Sequence, residues 1–460
     1  MAAPTMDQGT QDRPSLLARL GLNPSTSALL LAILLIGMGQ ELWAPFMPKF
    51  IQQSLHDYLK THLWHLRLSQ TAIIVLAVGL FGTWKDLQEA IYYYIGGRIG
   101  GTLGTRISLI AFATLPLIGY VLLLSAFTPA LATIMAFASL PFISAYDSIS
   151  QPATLTVVGD TLKSHLRIMA FSLQAIQRRI SRIIAYLVAG MLVYIFGAVL
   201  GVKVGVAISF LLVLLAVVLQ VRMLKTDSRD TAARKPGFSL NLFRRFHPEL
   251  RKLLLADIFA RIAEGMPREL FVLYAVASAD IIPGFGFATF SITPARFGQL
   301  LAVMSFTSLI TYLPIGYIAS RPGGQKKPFI ALTFVFFALF PLAFWWLGHL
   351  LGIWGLVIAY IIGGLREIGE PARKAIITEL LPPDARTAAT GLYWSVRSFA
   401  VMLAPLLGAV LWITISPAAA FITPFVVGII GAIMFALLFN RSGGPTNNTA
   451  PAAAPRTTAG

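Results

Sequence analysis

Apolar stretches of about 20 residues, the length that crosses a hydrocarbon core of about 30 Å, recur along almost the whole chain between short polar turns. They predict helical spans 1 to 6 near 27–47, 70–96, 107–126, 129–151, 168–196 and 201–222. Spans 7 to 12 follow near 253–277, 297–319, 328–350, 352–372, 387–414 and 419–440. Between the two sets, Arg222 to Lys252 is polar and basic, with Arg229, Arg234, Lys235, Arg244 and Arg245. The expected fold class is therefore all-α integral membrane, with six-helix bundles at 27–222 and 253–440 joined by a linker at 223–252.

The positions of Lys and Arg in short turns set the expected orientation. One side carries Arg98, Arg106, Lys163, Arg167, the linker, Arg321, Lys326, Lys327, Arg373, Lys374, Arg386 and Arg441. The other has Lys49, Lys60 and Arg67 in its first loop and little beyond Lys203 and Arg296. Both termini are expected to be cytoplasmic: an N-terminal segment at 1–26, where Arg13 to Leu22 has the pattern of a short interfacial helix, and a Gly-, Pro- and Ala-rich tail at 441–460 expected to be disordered. The sequon at Asn447 has no meaning in a cytoplasmic tail.

Composition agrees. The hydrophobic fraction is 57%, charged residues make up 12%, and mean hydropathy is +0.76, far from the balance of soluble domains. The net charge of +17 is spread between apolar segments, so anionic membrane lipids and not nucleic acid are the expected macromolecular partners. There is no cysteine and hence no disulfide or thiolate chemistry. No signal-peptide core precedes the first long apolar run, which should remain as an anchor.

The chain also repeats itself. Pro152-Ala153 matches Pro371-Ala372, Asp160 matches Glu379, Arg167 matches Arg386, Ala170 matches Ala389, Leu173 matches Leu392 and Arg178 matches Arg397, all 219 positions apart. Gly79 and Gly298 share that offset, as do the glycine-and-basic turns Gly97 to Arg106 and Gly316 to Lys327. Spans 1 and 7 correspond through Gly37-Met38 with Glu41 and Gly265-Met266 with Glu269. Two pseudo-symmetric halves follow.

Six plus six spans, a basic central linker and a glycine-and-basic turn after spans 2 and 8 resemble the major facilitator superfamily (MFS), over nearly the whole chain. The turn is similar to that family's Gly-x-Leu-Ala-Asp-Arg-x-Gly-Arg-Lys motif, which implies a gating role for Gly97, Gly101, Gly104 and Arg106 and for Gly316, Ser320, Arg321 and Gly323. The motif's acidic residue is absent: Gly101 and Ser320 stand in its place. The resemblance also implies that helices 1, 4, 7 and 10 line a central cavity, with 2, 5, 8 and 11 beside it.

Intramembrane charge is costly, about 2.5 to 3.5 kcal/mol each on insertion scales, and usually faces a cavity or a partner. The candidates for substrate binding or proton coupling are Glu41 in span 1, Lys85, Asp86 and Glu89 in span 2, Asp147 in span 4, and Arg178 and Arg182 in span 5. Span 7 adds Asp257, Arg261, Glu264, Arg268 and Glu269, span 10 adds Arg366, Glu367 and Glu370, and span 11 adds Arg397. The interiors of spans 3, 6, 8, 9 and 12 carry none. Asp257, Arg261, Glu264 and Arg268 form one stripe of alternating sign, and Lys85 and Glu89 are i,i+4 neighbours. Asp147 is expected near Arg178 or Arg182, and Glu367 or Glu370 near Arg397. Each pair has two readings: a structural clamp that neutralises buried charge, or a proton-sensitive contact. Glu41 and Glu269 face a cavity or snorkel to the outer interface.

Pro45, Pro141, Pro267 and Pro371 are expected to bend their helices, and Trp43, Tyr92, Tyr93, Tyr94, Phe271, Tyr274, Tyr393 and Trp394 either line a pocket or pack. His56, His62 and His65 are read as part of a helix capping the outer mouth and not as a metal site. No nucleotide-binding, hydrolase or metalloprotease motif is present, so neither enzymatic activity nor a cofactor is expected. The leading expectation is a monomeric secondary transporter in the cytoplasmic membrane, moving a small solute by alternating access with proton coupling. A gradient-driven uniporter and a transporter-like sensor or scaffold are the alternatives.

Overall fold

The computed structural model describes residues 24–62, 70–99, 105–146, 148–149, 164–223, 240–276, 290–320 and 325–439. Helices α1 (Pro24–Glu41) and α2 (Met47–His62) follow one path, broken by a short 3-10 turn at Ala44–Phe46. Then come α3 (Gln70–Ile99), α4 (Thr105–Leu124), α5 (Pro129–Ile143) and α6 (Ser164–Met223), which turns back at Gly197 into arms 164–196 and 198–223. The second half contains α7 (Pro248–Arg268), α8 (Leu270–Ala275), α9 (Pro294–Ser320), α10 (Lys327–Leu351) and α11 (Ile353–Leu365). It ends with α12 (Glu370–Leu380), α13 (Arg386–Val401), α14 (Ala404–Thr414) and α15 (Pro417–Leu438). Five helical stretches among the described residues are long and apolar enough to cross a membrane.

Broken helices explain the paired labels. Proline lacks an N–H and its ring clashes with the carbonyl four residues back, and the four prolines expected to bend helices lie where helices stop or start. Pro45 is in the 3-10 turn, Pro141 precedes the end of α5, Pro267 the break between α7 and α8, and Pro371 is in the first turn of α12. Gly197 reverses the chain with φ 78°, a left-handed conformation that disfavours any side chain. The helix expected after span 1 is present as α2, with Met47, Phe50, Ile51 and Leu59 buried. Lys49, expected in an outer loop, is itself buried on this helix.

The halves meet along two repeat-related seams. The first arm of α6 packs on α9, and α3 packs on α13 and α14. At one seam a Cβ on Gly190 would lie 2.8 Å from the Pro294 carbonyl oxygen and 3.0 Å from the Gly298 Cα. At the other, a Cβ on Gly79 would lie 2.5 Å from the Ala409 Cβ. Gly298 stands 219 positions after Gly79, and Ala409 stands 219 after Gly190, so the repeat conserves the contact as well as the helices. Residues 1–23, Asp147, Gly101, Gly104, Arg321, Gly323, residues 224–239 and 440–460 lie outside the described residues, as do the side chains of Gly97, Arg106, Gly316 and Ser320.

Candidate functional site

Two cavities open between the halves. The first, about 200 Å³, is walled by Phe271, Phe297, Leu301, Met304, Phe340 and Tyr360. Its charged lining is Glu41, Glu264 and Glu269 against Lys85, Arg268 and Arg366, three of each sign. Glu41 and Glu269, which correspond through the repeat, both line this cavity. Each is held by arginine: Arg182 Nε lies 2.6 Å from Glu41 Oε1, and Arg268 Nε donates to Glu269 Oε1 at 2.9 Å. Arg268 also donates to Asp86 Oδ1 at 2.8 Å, bridging α7 of one half to α3 of the other.

The second cavity, about 190 Å³, has a different character. Among the described residues it is lined by Arg178, Arg179, Arg182, Arg261, Lys374 and Arg397, with Glu367 and Glu370 as anions, beside Tyr312 and Trp394. Arg179 Nη2 lies 2.9 Å from Glu367 Oε1, a second ion pair across the halves, and the Tyr312 hydroxyl donates to Glu367 Oε2 at 3.2 Å. Arg397 stacks on Trp394, 4.1 Å from its ring centroid, a favourable place for a desolvated cation.

Three ion pairs form the wall between the cavities, each with one partner lining each side: Arg182–Glu41 at 2.6 Å, Arg261–Glu264 at 2.6 Å and Glu367–Arg366 at 3.9 Å. Beneath them, the fully buried Arg373 lies 2.5 Å from both Asp257 Oδ2 and Glu370 Oε2. The approach to Asp257 is off-line for a hydrogen bond, and neither Asp257 oxygen accepts one. Charge alone holds that carboxylate, with Arg261 and Arg397 at 3.7 and 3.8 Å. A buried carboxylate so dependent on its cations is one that their removal would leave stranded.

Comparison with known proteins bears on this arrangement. The family model described as Major Facilitator Superfamily matches residues 269–459. The human organic anion transporter MFSD10 (TETRAN) superposes with a TM-score of 0.61 at 15% identity, over 90% of this chain and 99% of that one. The nucleoside transporter NupG superposes with a TM-score of 0.59 at 13% identity, over 90% of this chain and 100% of that one. The chain has the major facilitator superfamily fold. No curated protein matches it by sequence. The expected resemblance to the major facilitator superfamily is borne out.

Within this MFS fold, several expected pairings are replaced by others. Arg397 has Asp257 within reach and not Glu367 or Glu370, because α11 ends at Leu365 and the backbone turns through 366–369 before α12 begins. That turn aims Glu367 across the interface at Arg179. The stripe on α7 splits: Arg261 joins Asp257 and Glu264, whereas Arg268 reaches to α3. Lys85 and Glu89 form no ion pair with each other, although Lys85 lines the first cavity. Phe271 and Trp394 line cavities, while Trp43, Tyr274 and Tyr393 are buried in packing. Among the described residues no cluster suited to a metal occurs.

The sequence reading left out Arg179, Arg373, Lys374, Tyr186, Tyr312 and Tyr360 as site residues. Arg373 and Lys374 were markers of a cytoplasmic turn, but α12 continues to Leu380 and carries both inward. The signal for Arg373 was present: it stands three residues after Glu370, the spacing of its ion pair.

Proposed function

We propose that this MFS-fold protein is a secondary active transporter that moves a small solute by alternating access, coupled to protons. Twelve spans in bundles 27–222 and 253–440, a linker at 223–252, cytoplasmic termini, a monomeric state and residence in the cytoplasmic membrane complete the reading. The observation that carries it is the pair of cross-half ion contacts, Arg179–Glu367 and Asp86–Arg268, beside cavities lined by both halves. Such contacts can break and reform as one bundle rocks against the other. Protonating Glu367 or Asp86 removes the charge that its arginine needs, so proton uptake loosens one cross-half contact. Glu41 and Glu269 are assigned the same chemistry at the first cavity, and the glycine turns at 97–106 and 316–327 are assigned to the inner gate. That MFSD10 and NupG, which share this fold, are transporters supports the reading.

The test is flux in proteoliposomes across a panel of small solutes, with and without an imposed pH gradient. Gradient-driven accumulation that disappears in Glu367→Gln and Asp86→Asn is the expected result. Flux indifferent to pH would return the uniporter, and binding without flux would return the sensor.

A further inference from the structure

The second cavity has more positive charge than its own carboxylates neutralise. Among the described residues six cations line it against two anions. Glu370 is shared among Arg373, Arg261 and the more distant Lys374 at 3.6 Å, and Glu367 is committed to Arg179 and Tyr312. Among the described residues, Arg178 has no carboxylate in ion-pair reach, and the nearest to Arg397 is 3.8 Å away. Buried cations persist when something compensates them. Arg179, Arg182 and Arg261 each have a carboxylate within 2.9 Å, so the surplus that faces the cavity is Arg178 together with the loosely held Lys374 and Arg397.

The neighbouring cavity supplies the other half of a recognition pattern. Its wall is aromatic and aliphatic, its own charges balance, and it is separated from the basic cavity by the three ion pairs Arg182–Glu41, Arg261–Glu264 and Arg366–Glu367. An oxyanion entering the basic side would compete with Glu41, Glu264 and Glu367 for the arginines of these pairs.

We propose that the two cavities together form the site of an amphipathic organic anion, its carboxylate, phosphate or sulfate head held by Arg178, Lys374 and Arg397, its apolar body against Leu301, Phe297 and Phe340. This assignment names a substrate class for the transport reading and rests on it only for passage across the membrane. Guanidinium groups suit the head because they meet oxyanions with two parallel N–H donors.

The experiment is a thermal-shift and binding titration on the full chain in detergent with phenyl phosphate, inorganic phosphate and phenol. Phenyl phosphate is expected to bind about tenfold more tightly than phosphate, through burial of its ring, and phenol not to bind measurably. Lys374→Gln and Arg178→Gln should each weaken both phosphates by about tenfold, the loss of one charge-assisted contact. Leu301→Ser should erase only the advantage of the phenyl group. Equal binding of the two phosphates, or binding untouched by Lys374→Gln and Arg178→Gln together, overturns the proposal. A parallel series in phosphatidylglycerol against phosphatidylcholine nanodiscs identifies the source of the head group: stabilisation by phosphatidylglycerol that is lost in the same variants would make the occupant a lipid and overturn the solute. Uptake of labelled phenyl phosphate separates the two readings. Binding without uptake leaves the anion site standing and removes transport, whereas uptake of neutral solutes without anion binding does the reverse.

Discussion

The two cavities differ little in size, about 200 and 190 Å³, and greatly in chemistry. In the first, the carboxylates equal the cations in number and apolar side chains form most of the wall. In the second, among the described residues, cations outnumber carboxylates three to one, with a tyrosine and a tryptophan as the large rings. The difference arises from which elements reach each space. Helix α6 brings three arginines on adjacent turns to the second cavity, and α12 adds Lys374, whereas α9 and α10 bring Phe297, Leu301, Met304 and Phe340 to the first. Adjacent spaces between two repeat-related halves thus differ in chemistry.

The largest expected effect breaks the support beneath both cavities. Arg373→Met strands Asp257 and Glu370 inside the protein and should cost about 3 to 5 kcal/mol, read as a collapse of the melting temperature and of monodisperse yield. The double variant Arg373→Met with Asp257→Asn should recover much of the loss. A single variant as stable as the parent would show that the network is not structural.

A smaller effect sharpens the comparison. Glu367→Gln removes one of the two carboxylates of the basic cavity and frees Arg179, at a stability cost of about 1.5 to 3 kcal/mol for the lost charged contact. It should tighten oxyanion binding, while Glu264→Gln, whose carboxylate lines the balanced cavity, should weaken the fold by breaking two arginine contacts. Titration of inorganic phosphate against both variants checks the contrast.

Smaller still, Gly197→Ala places a Cβ on a residue at φ 78° with nothing nearby to collide with. It should cost about 1 to 2 kcal/mol from the backbone alone, a drop of a few degrees in melting temperature, with anion binding unchanged.

The smallest effect is expected outside the spans. Asp384, in the turn before the span at 387–414, accepts hydrogen bonds from Arg245 at 2.7 and 2.8 Å that hold its carboxyl below the usual range. A lowered carboxylate stabilises the fold above its unfolded pKa, near 4, and loses that contribution as pH falls through the folded value. Because the pair is exposed, Asp384→Asn should leave the melting temperature at neutral pH nearly unchanged, and unfolding scans from pH 7 to pH 3 check it.

Hydrophobic period and length were enough to establish an all-helical chain with membrane-crossing segments, since a hydrocarbon core requires long apolar stretches. The spacing of 219 was enough to find the repeat, whereas the close packing at Gly79 and Gly298 emerged only from the structure. The pairing of charges was less legible. Helical spacing gave Arg261 with Asp257 and Glu264, which lie on one helix, and missed Arg179 with Glu367 and Asp86 with Arg268, which lie on different halves. A sequence records neighbours along a helix but not the rotation of one helix against another.

What the sequence determined by itself was the inventory: a doubled, all-helical membrane chain whose ionisable residues are concentrated on particular spans. Only the tertiary structure decided how that charge was divided. The backbone turn at 366–369 sends Glu367 across the interface and lets α12 carry Arg373 and Lys374 inward, so a set of nearly balanced charges separates into one neutral cavity and one basic one. The physical reason is that ion pairing depends on distances of a few ångströms between helices, and these are fixed by packing at small residues such as Gly190 and Gly298 and not by positions along the chain.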